Sequence, residues 1–341
     1  MTRTGKRNLI TDVEGLFVGQ SEHHAARTGV TVILADPAVA AAVDVRGGAP
    51  GTIGTDALDP VNLVGAIDAV VLSGGSSYGL ESASAVMARL GAQGRGFRFS
   101  PETPPAPIVP GAVIFDLANG GDKNWGVKPP YAALAIEALE SAGGDFALGN
   151  AGAGLGAVAG TYKGGIGSAS IVTDDGVAVG AIVIVNSVGS PVIPYTDVFW
   201  AFPFEQAGEF GDKRLAPDFR PVEASLPSDI KTPARAGANT TIAVVATDAE
   251  LTGVELKRVA IMAADGFARA LRPVHTPFDG DTVFALATAK RALGEPRPFQ
   301  LMRLGNAAAD CLARAIARGV YEAGTVGELR SYRDVYKEAL Q

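Results

Sequence analysis

Cysteine is almost absent from this chain of 341 residues, which contains one. A single cysteine excludes an internal disulfide and any metal site built on several cysteines. Cys311 lies among Ala308, Leu312 and Ala315 at helical spacing. That pattern indicates a buried structural thiol rather than a catalytic one.

Basic charge and long apolar runs are also scarce. The chain has 29 Lys and Arg residues against 36 Asp and Glu, for a net charge of -7. This balance argues against a nucleic-acid partner, because phosphate binding needs clustered positive charge. No apolar run approaches the ~20 residues that span a bilayer, and no apolar signal core follows the polar N-terminus. We therefore expect a soluble cytoplasmic protein with no membrane partner.

Apolar residues are abundant, at 47% of the chain against 19% charged residues. This composition allows a sizeable core, in one large domain or two. The 43 glycines and 21 prolines are dispersed, which indicates many tight turns between short elements.

The apolar patterns predict two stacked sheets with helices outside them. Most predicted strands are apolar on both faces, as expected of strands covered on both sides; they are 29–35, 41–45, 69–73, 112–117, 177–185, 240–247 and 282–288. Helical periodicity covers 80–90, 131–139, 254–271 and 307–322. Strands cluster and helices come in pairs, which favours stacked layers over a regular strand–helix alternation. The stretch 201–238 is rich in prolines and charges and is predicted to be a long exposed linker.

The most informative feature is the pair Asn239-Thr240, where a loop ends at the start of a predicted buried strand. If the Thr240 hydroxyl attacks the Asn239 carbonyl, the peptide bond becomes an ester that water can split. Thr240 would then be a new N-terminus, and its own amine could act as the base for its weakly nucleophilic hydroxyl. The alternative is an ordinary loop asparagine that caps a strand.

Two carboxylates precede the last predicted strand, in Asp279-Gly280-Asp281. If this segment is extended, both side chains point to the same face. Such a pair could hold the Thr240 ammonium or shuttle its proton. Asp-Gly is equally typical of a solvent-exposed turn. A metal is not predicted, because His275 is the only nearby imidazole and no ligand spacing matches.

Three further residues could act on Thr240. Lys163 lies between glycine-rich segments, and in a desolvated cleft its pKa would fall, so that it could orient or help deprotonate the threonine hydroxyl. Asn186 ends a buried strand, and its side-chain N–H could stabilise a tetrahedral oxyanion. Tyr78, in the small-residue stretch after another strand, could add a hydroxyl to the cleft. The alternatives are a solvated lysine, a strand-ending turn and a tightly packed turn.

These segments together resemble the family of L-aminopeptidase/D-esterases, β-peptidyl aminopeptidases and nylon-oligomer (6-aminohexanoate oligomer) hydrolases. The resemblance covers nearly the whole chain and rests on NLITDVEG (8–15), TGVTV (28–32), DVRGGAPGT (44–52), SGGSSYGL (73–80), NSVG (186–189) and GANTTI (237–242). It implies a single four-layer αββα sandwich similar to N-terminal-nucleophile hydrolases, cut once into 1–239 and 240–341. It also implies association into tetramers or larger assemblies of cut protomers.

The resemblance implies roles for the same residues. Thr240 matches the nucleophile, Asn239 the residue before the cut, Asn186 the oxyanion asparagine and Tyr78 the pocket tyrosine. Asp279 and Asp281 match the acidic pair of the nylon-hydrolase branch, and Lys163 falls close to the active-site lysine. The segment 163–167 is more similar to the aminopeptidase branch, whose nucleophile is serine, so the substrate stays open.

We therefore expect an autoproteolytic amide hydrolase that uses neither a cofactor nor a metal. Its expected substrates are short peptides or linear oligoamides of ω-amino acids. Three alternatives stay open: an aminopeptidase/D-esterase acting on β- or D-amino acids, an acyl transferase similar to ornithine acetyltransferase, and a small-molecule binding protein that is never cut.

Overall fold

The structure, a computed structural model, describes residues 2–63, 65–220, 229–231 and 239–338. Within these ranges the chain forms eleven strands. They are β1 (Leu16–His23), β2 (Thr28–Val45), β3 (Thr52–Ile53), β4 (Ile67–Ser73), β5 (Gly111–Val113), β6 (Val158–Ala159), β7 (Tyr162–Lys163), β8 (Gly165–Val172), β9 (Ala178–Asn186), β10 (Thr240–Ala249) and β11 (Thr282–Arg291).

The described residues also form six α-helices, which are α1 (Glu81–Ala92), α2 (Tyr131–Glu140), α3 (Gly253–Ala263), α4 (Asp265–Ala270), α5 (Arg297–Tyr321) and α6 (Tyr332–Glu338). The predicted helix 254–271 is divided into α3 and α4, and the predicted helix 307–322 begins ten residues earlier, at Arg297. Helix α3 begins with a capping box, in which the Thr252 hydroxyl and the Glu255 carboxylate each bond to the other residue's main-chain N–H.

Nine of the strands are connected through one long strand that belongs to two sheets. The first half of β2 pairs with β1 and β4, and β4 continues to β5 and β3. The second half of β2 pairs with β11, which leads to β10, β9 and β8. The two predicted strands 29–35 and 41–45 are therefore parts of one strand, with a register shift between Leu34 and Val39.

The two sheets stack face to face, and helices cover their outer faces. Alternate residues of β10 show this, because Ile242 and Val244 lie in the core between the sheets, while Ala243 and Val245 pack against α3, α4 and α5. On the other sheet, Val30 and Val32 of β2 pack against α1 and α2. The result is the four-layer αββα sandwich that the sequence predicts.

The sequence patterns missed β1 and β8, and also the two-residue strands β3, β6 and β7. Strand β8 reads GIGSASIV, a composition with low strand propensity. It pairs with β9 along its whole length, and its glycines let α5 pack very closely on it: a Cβ on Gly167 would lie 1.9 Å from the Ala315 carbonyl oxygen of that helix. Tertiary packing requires glycine at this position, and no pattern in the local sequence predicts that packing.

The predicted linker 201–238 lies partly outside the described residues. Its described part contains a 3-10 turn, Phe202–Phe204, and otherwise no helix or strand. No helix in the described ranges is both long enough and apolar enough to cross a bilayer.

Candidate active site

Thr240 is the first residue of β10 and is almost fully buried. The alternation along β10 places its side chain on the same face as Ile242 and Val244, between the two sheets. In the antiparallel pairing of β10 with β9, Thr240 lies directly opposite Asn186. Both polar residues therefore lie at the same end of the apolar layer between the sheets.

The peptide bond before Thr240 is in direct contact with the candidate nucleophile. The Thr240 hydroxyl donates a short hydrogen bond to the carbonyl oxygen of Asn239. The main-chain N–H of Gly280 donates to the same oxygen at 3.2 Å. The Asn239 carbonyl thus has a hydroxyl beside it and a fixed donor on its oxygen.

The two acidic residues are buried rather than in a solvent-exposed turn, since Asp279 and Asp281 are each 1% exposed. Asp279 accepts hydrogen bonds from the Val188 N–H at 3.1 Å and from the N–H and hydroxyl of Thr276. Asp281 accepts from the Thr241 N–H at 2.9 Å and from His275. Burial and the neighbouring Asp281 raise the pKa of Asp279.

The Asp281 side chain is held on the helix-covered face of its sheet. Its Oδ2 atom accepts from the main-chain N–H of His275 at 3.1 Å and contacts the ring Nδ1 at 2.8 Å. Because a carboxylate only accepts hydrogen bonds, Nδ1 carries the proton in this contact. The His275 ring packs edge-on against Phe267 of α4. Gly280, between the two acids, faces the Thr240 hydroxyl instead.

Asn186 has its side chain fixed by hydrogen bonds to three neighbouring segments. Its Oδ1 accepts from the Val158 N–H at 3.0 Å and from Lys231 Nζ at 3.2 Å, and its Nδ2 donates to the Phe115 carbonyl at 3.2 Å. Asn186 is therefore part of a buried network rather than a simple strand-ending turn.

Lys163 is fully buried, contrary to the alternative of a solvated lysine. Its Nζ donates to the carbonyl oxygens of Gly154 at 2.8 Å and Gly164 at 2.6 Å. Burial lowers the pKa of Lys163 to about 7, against the opposing attraction of Asp116. Both short strands β6 and β7 lie beside Asn186, because Val158 pairs with Lys163 and also bonds to the Asn186 side chain.

Tyr78 lies in a 3-10 turn, Ser76–Leu80, between β4 and α1. It is 49% exposed and contacts Trp125 edge-on, with 5.7 Å between ring centroids. This turn is connected to Asn186 through the segment after β5: Ser76 N–H donates to Ile114 O, and the Asn186 amide donates to Phe115 O. Tyr78 is thus at the accessible side of the network.

Several residues of this site escaped the sequence patterns. Gly280 contacts the Asn239 carbonyl, and Lys231 contacts Asn186, only because distant segments meet there. His275 is six residues from Asp281 and contacts it within one loop. Thr276 is different, since it lies three residues before Asp279, at the spacing of a side-chain-to-backbone turn. Among the described residues, no group of three or more His, Cys, Asp or Glu side chains is arranged to hold a metal ion.

The structure thus gives a four-layer αββα sandwich with the Thr240 hydroxyl buried at the start of a central strand. The comparisons with known proteins give the family. The chain belongs to peptidase family S58, whose model matches residues 8–332. It is therefore an amide-bond hydrolase.

Curated relatives include aminopeptidases and oligoamide hydrolases. An uncharacterized aminopeptidase of Mycobacterium tuberculosis is 43% identical, over 97% of this chain and 99% of the relative. A 6-aminohexanoate-oligomer endohydrolase of a Kocuria species is 33% identical, over 84% of this chain and 76% of the relative.

Solved structures show the same fold at lower sequence identity. A β-aminopeptidase of a Burkholderia species has a TM-score of 0.71 at 24% identity, over 99% of this chain and 96% of that one. An L-aminopeptidase D-Ala-esterase/amidase of Ochrobactrum anthropi, described as a variant of the Ntn-hydrolase fold, has a TM-score of 0.69 at 23% identity, over 99% and 95%.

Proposed function

We propose that this protein is an autoproteolytic amide hydrolase whose nucleophile is Thr240. The observation that carries the proposal is the geometry at the Asn239 carbonyl. The Thr240 hydroxyl lies against that carbonyl, and the Gly280 N–H donates to its oxygen. A nucleophile in contact and a fixed donor on the developing oxyanion are the two requirements for attack on an amide.

The proposed self-cleavage uses this arrangement. Thr240 Oγ1 forms a bond to the Asn239 carbonyl carbon, its proton passes to the amide nitrogen, and the C–N bond breaks. The product is an ester between Asn239 and Thr240, with a free Thr240 amine. Water then adds to the ester, which releases Asn239 as a carboxylate and regenerates the hydroxyl. The fragments are 1–239 and 240–341.

Catalysis on a substrate amide repeats the same chemistry with the new amine as base. The Thr240 amine accepts the hydroxyl proton and later delivers it to the leaving amine. We assign the side-chain amide of Asn186, which lies opposite Thr240 on the neighbouring strand, to the substrate oxyanion. Water hydrolyses the acyl-enzyme.

Three buried ionisable residues are assigned to hold the new Thr240 amine or to assist its proton transfer. We assign Asp281 to the ammonium of Thr240, because it accepts from the N–H of Thr241, the residue next to the nucleophile. Burial and the neighbouring Asp281 raise the pKa of Asp279, which suits it to hold a shuttled proton. Lys163, whose pKa is about 7, can assist as a neutral base near physiological pH.

The relatives indicate the class of substrate. Names such as aminopeptidase and 6-aminohexanoate-oligomer endohydrolase describe hydrolysis of peptides and of linear ω-amino-acid oligoamides. We assign short peptides and such oligoamides to this protein, with Tyr78 at the edge of the substrate pocket. A homo-oligomer of cut protomers, a tetramer or larger, and a cytoplasmic location are part of the same proposal.

Intact mass under denaturing conditions tests self-cleavage. From 34.8 kDa for 341 residues, fragments of 239 and 102 residues have masses of ~24 and ~10 kDa. The wild type should give both, the smaller one beginning Thr-Thr-Ile-Ala, and Thr240→Ala should stay whole and inactive. Thr241→Ala is the matched control and should be cut. A cut, active Thr240→Ala protein would overturn the mechanism, and added amino-acid acceptors would reveal acyl transfer.

A further inference from the structure

Asp116 is a buried carboxylate that lies between two glycine-rich turns. It is 2% exposed and follows β5 by three residues. A Cβ on Gly74 would lie 2.2 Å from its Oδ2 atom, and a Cβ on Gly156 would lie 2.3 Å from it. The glycines of both turns therefore leave room for this carboxylate.

The first turn is the one that carries Tyr78. Asp116 Oδ1 accepts from the Gly75 N–H at 2.8 Å, and Oδ2 accepts from the Thr28 hydroxyl at 2.5 Å. Gly75 has a positive φ of 86° and immediately precedes the 3-10 turn of Tyr78. The carboxylate thus fixes the left-handed start of the turn, which favours glycine, at the accessible side of the site.

The residue before Asp116 anchors the oxyanion asparagine. The Phe115 carbonyl accepts from Asn186 Nδ2 at 3.2 Å. A displacement of Asp116 would therefore move this carbonyl and, through it, the amide assigned to the oxyanion.

The second turn connects Asp116 to Lys163. Gly156 packs on the carboxylate, and two residues earlier the Gly154 carbonyl accepts from Lys163 Nζ at 2.8 Å. Burial lowers the pKa of Lys163 to about 7, and the negative charge of Asp116 is what opposes that decrease. Burial also raises the pKa of Asp116.

Other charged and titratable groups face this pair from neighbouring segments. Lys123 attracts Asp116, and burial lowers the pKa of Lys123. Arg27 lies close enough to lower the pKa of Lys123 further. The Tyr131 hydroxyl lies 3.4 Å from the Thr28 hydroxyl. Burial raises the pKa of Tyr131, and the negative charges of Asp116 and Glu81 raise it further.

We propose that Asp116 is a positioning residue of the active site: it holds the Tyr78 turn and the Asn186 anchor in place, and its negative charge controls the protonation of Lys163. This inference rests on the proposed function for its effect on catalysis, but its effect on Lys163 does not depend on any reaction.

Asp116→Asn separates the charge from the hydrogen bonds. Asparagine keeps an acceptor for the Gly75 N–H and presents its amide to the Thr28 hydroxyl, which can accept. Without the negative charge, Lys163 loses its proton at lower pH, and we expect its titration midpoint to decrease by about one pH unit. The rising limb of the pH–rate profile of the cut enzyme, measured on a linear 6-aminohexanoate oligomer, should shift in the same direction. Asp116→Ala should also lower kcat.

The matched control is Asp68→Asn. Asp68 is also buried and accepts a main-chain N–H, that of Ile108, but it lies at the opposite end of β4. This variant should leave the Lys163 midpoint and the pH profile unchanged. A second pair tests positioning through Thr28: Thr28→Ser keeps the hydroxyl and should retain wild-type kcat, whereas Thr28→Val should lower it.

Protonation of Lys163 can be measured without activity, by NMR titration of lysine 13Cε signals in full-length Thr240→Ala protein. The Lys163 signal is the one that Lys163→Met removes. An unchanged midpoint in Asp116→Asn would overturn the control of Lys163 by Asp116, and a Thr28→Val enzyme with wild-type kcat would overturn the positioning role. If instead wild-type protein is uncut and inactive while the midpoint moves, the proposed function fails and the electrostatic inference stands.

Discussion

Replacing Gly280 by alanine should block self-cleavage while leaving a folded protein. The N–H of Gly280 donates to the Asn239 carbonyl at 3.2 Å. A Cβ at this position would lie 2.7 Å from both the Thr240 hydroxyl and the Ala49 carbonyl oxygen, and 3.1 Å from Pro50 Cα. Since two of these three neighbours are main-chain atoms, the segment around residue 280 must move, and its N–H moves away from the Asn239 oxygen.

The expected loss of cleavage rate follows from the lost hydrogen bond, and the expected loss of stability follows from the added methyl group. Loss of one oxyanion donor typically slows an acyl-transfer step by about 10²–10³-fold, or ~3–4 kcal/mol. Overpacking of a buried site costs ~1–3 kcal/mol of folding free energy. We therefore expect Gly280→Ala to be cut at least about 100-fold more slowly than the wild type while it stays folded.

The assay is the fraction of uncut chain against time after purification, measured by intact mass, with urea denaturation to measure stability. Gly294→Ala is the matched control, because a Cβ there meets only the Gln300 side chain, at 3.8 Å or more. That variant should be cut at the wild-type rate. A folded Gly280→Ala protein that is also cut at the wild-type rate would refute the role of the Gly280 N–H.

Two further predictions follow from buried contacts. His275→Asn keeps a donor near the position of Nδ1 and tolerates the positive φ of 53°, so this variant should retain most of the turnover rate. His275→Ala leaves Asp281 without that donor and should reduce kcat. Equal kcat in the two variants would contradict this prediction. Arg314→Met removes a fully buried guanidinium that bonds to Glu209 at 2.5 and 2.9 Å. It should lower the free energy of unfolding by about 1.5–3 kcal/mol, because it removes charged hydrogen bonds while Arg318 stays 3.6 Å from the Glu209 carboxylate; a urea midpoint equal to that of wild type would contradict it.

The sequence predicted the layers well because burial has a local signature. Strands covered on both sides are apolar throughout, and helices on a sheet repeat their apolar residues every three or four positions. These patterns gave most of β4, β9, β10 and β11 and all but one residue of α2. They missed β8. A Cβ on Gly167 of this strand would lie 1.9 Å from the Ala315 carbonyl oxygen of α5, so the packing of that helix requires glycine.

For the candidate active-site residues, too, the sequence predicted one part and only the structure showed the rest. Residue types and short spacings singled out Thr240, Asn186, Lys163 and the two aspartates, and the family resemblance covers them. The sequence does not determine whether these residues are buried or exposed, since an Asp-Gly-Asp segment is equally typical of an exposed turn. The structure places both aspartates in the interior, with main-chain donors from distant segments.

What the sequence determined by itself is the class of fold, the family and the residues with suitable chemistry, because these depend on composition and short-range pattern. Only the tertiary structure decided which groups meet. It placed Asn186 opposite Thr240 through strand register, Gly280 on the Asn239 carbonyl, and Asp116 between the turns of Tyr78 and Lys163. Register, close packing and desolvation join residues that are far apart in the chain, and the pKa of Lys163 falls to about 7 only because the whole fold excludes water from it.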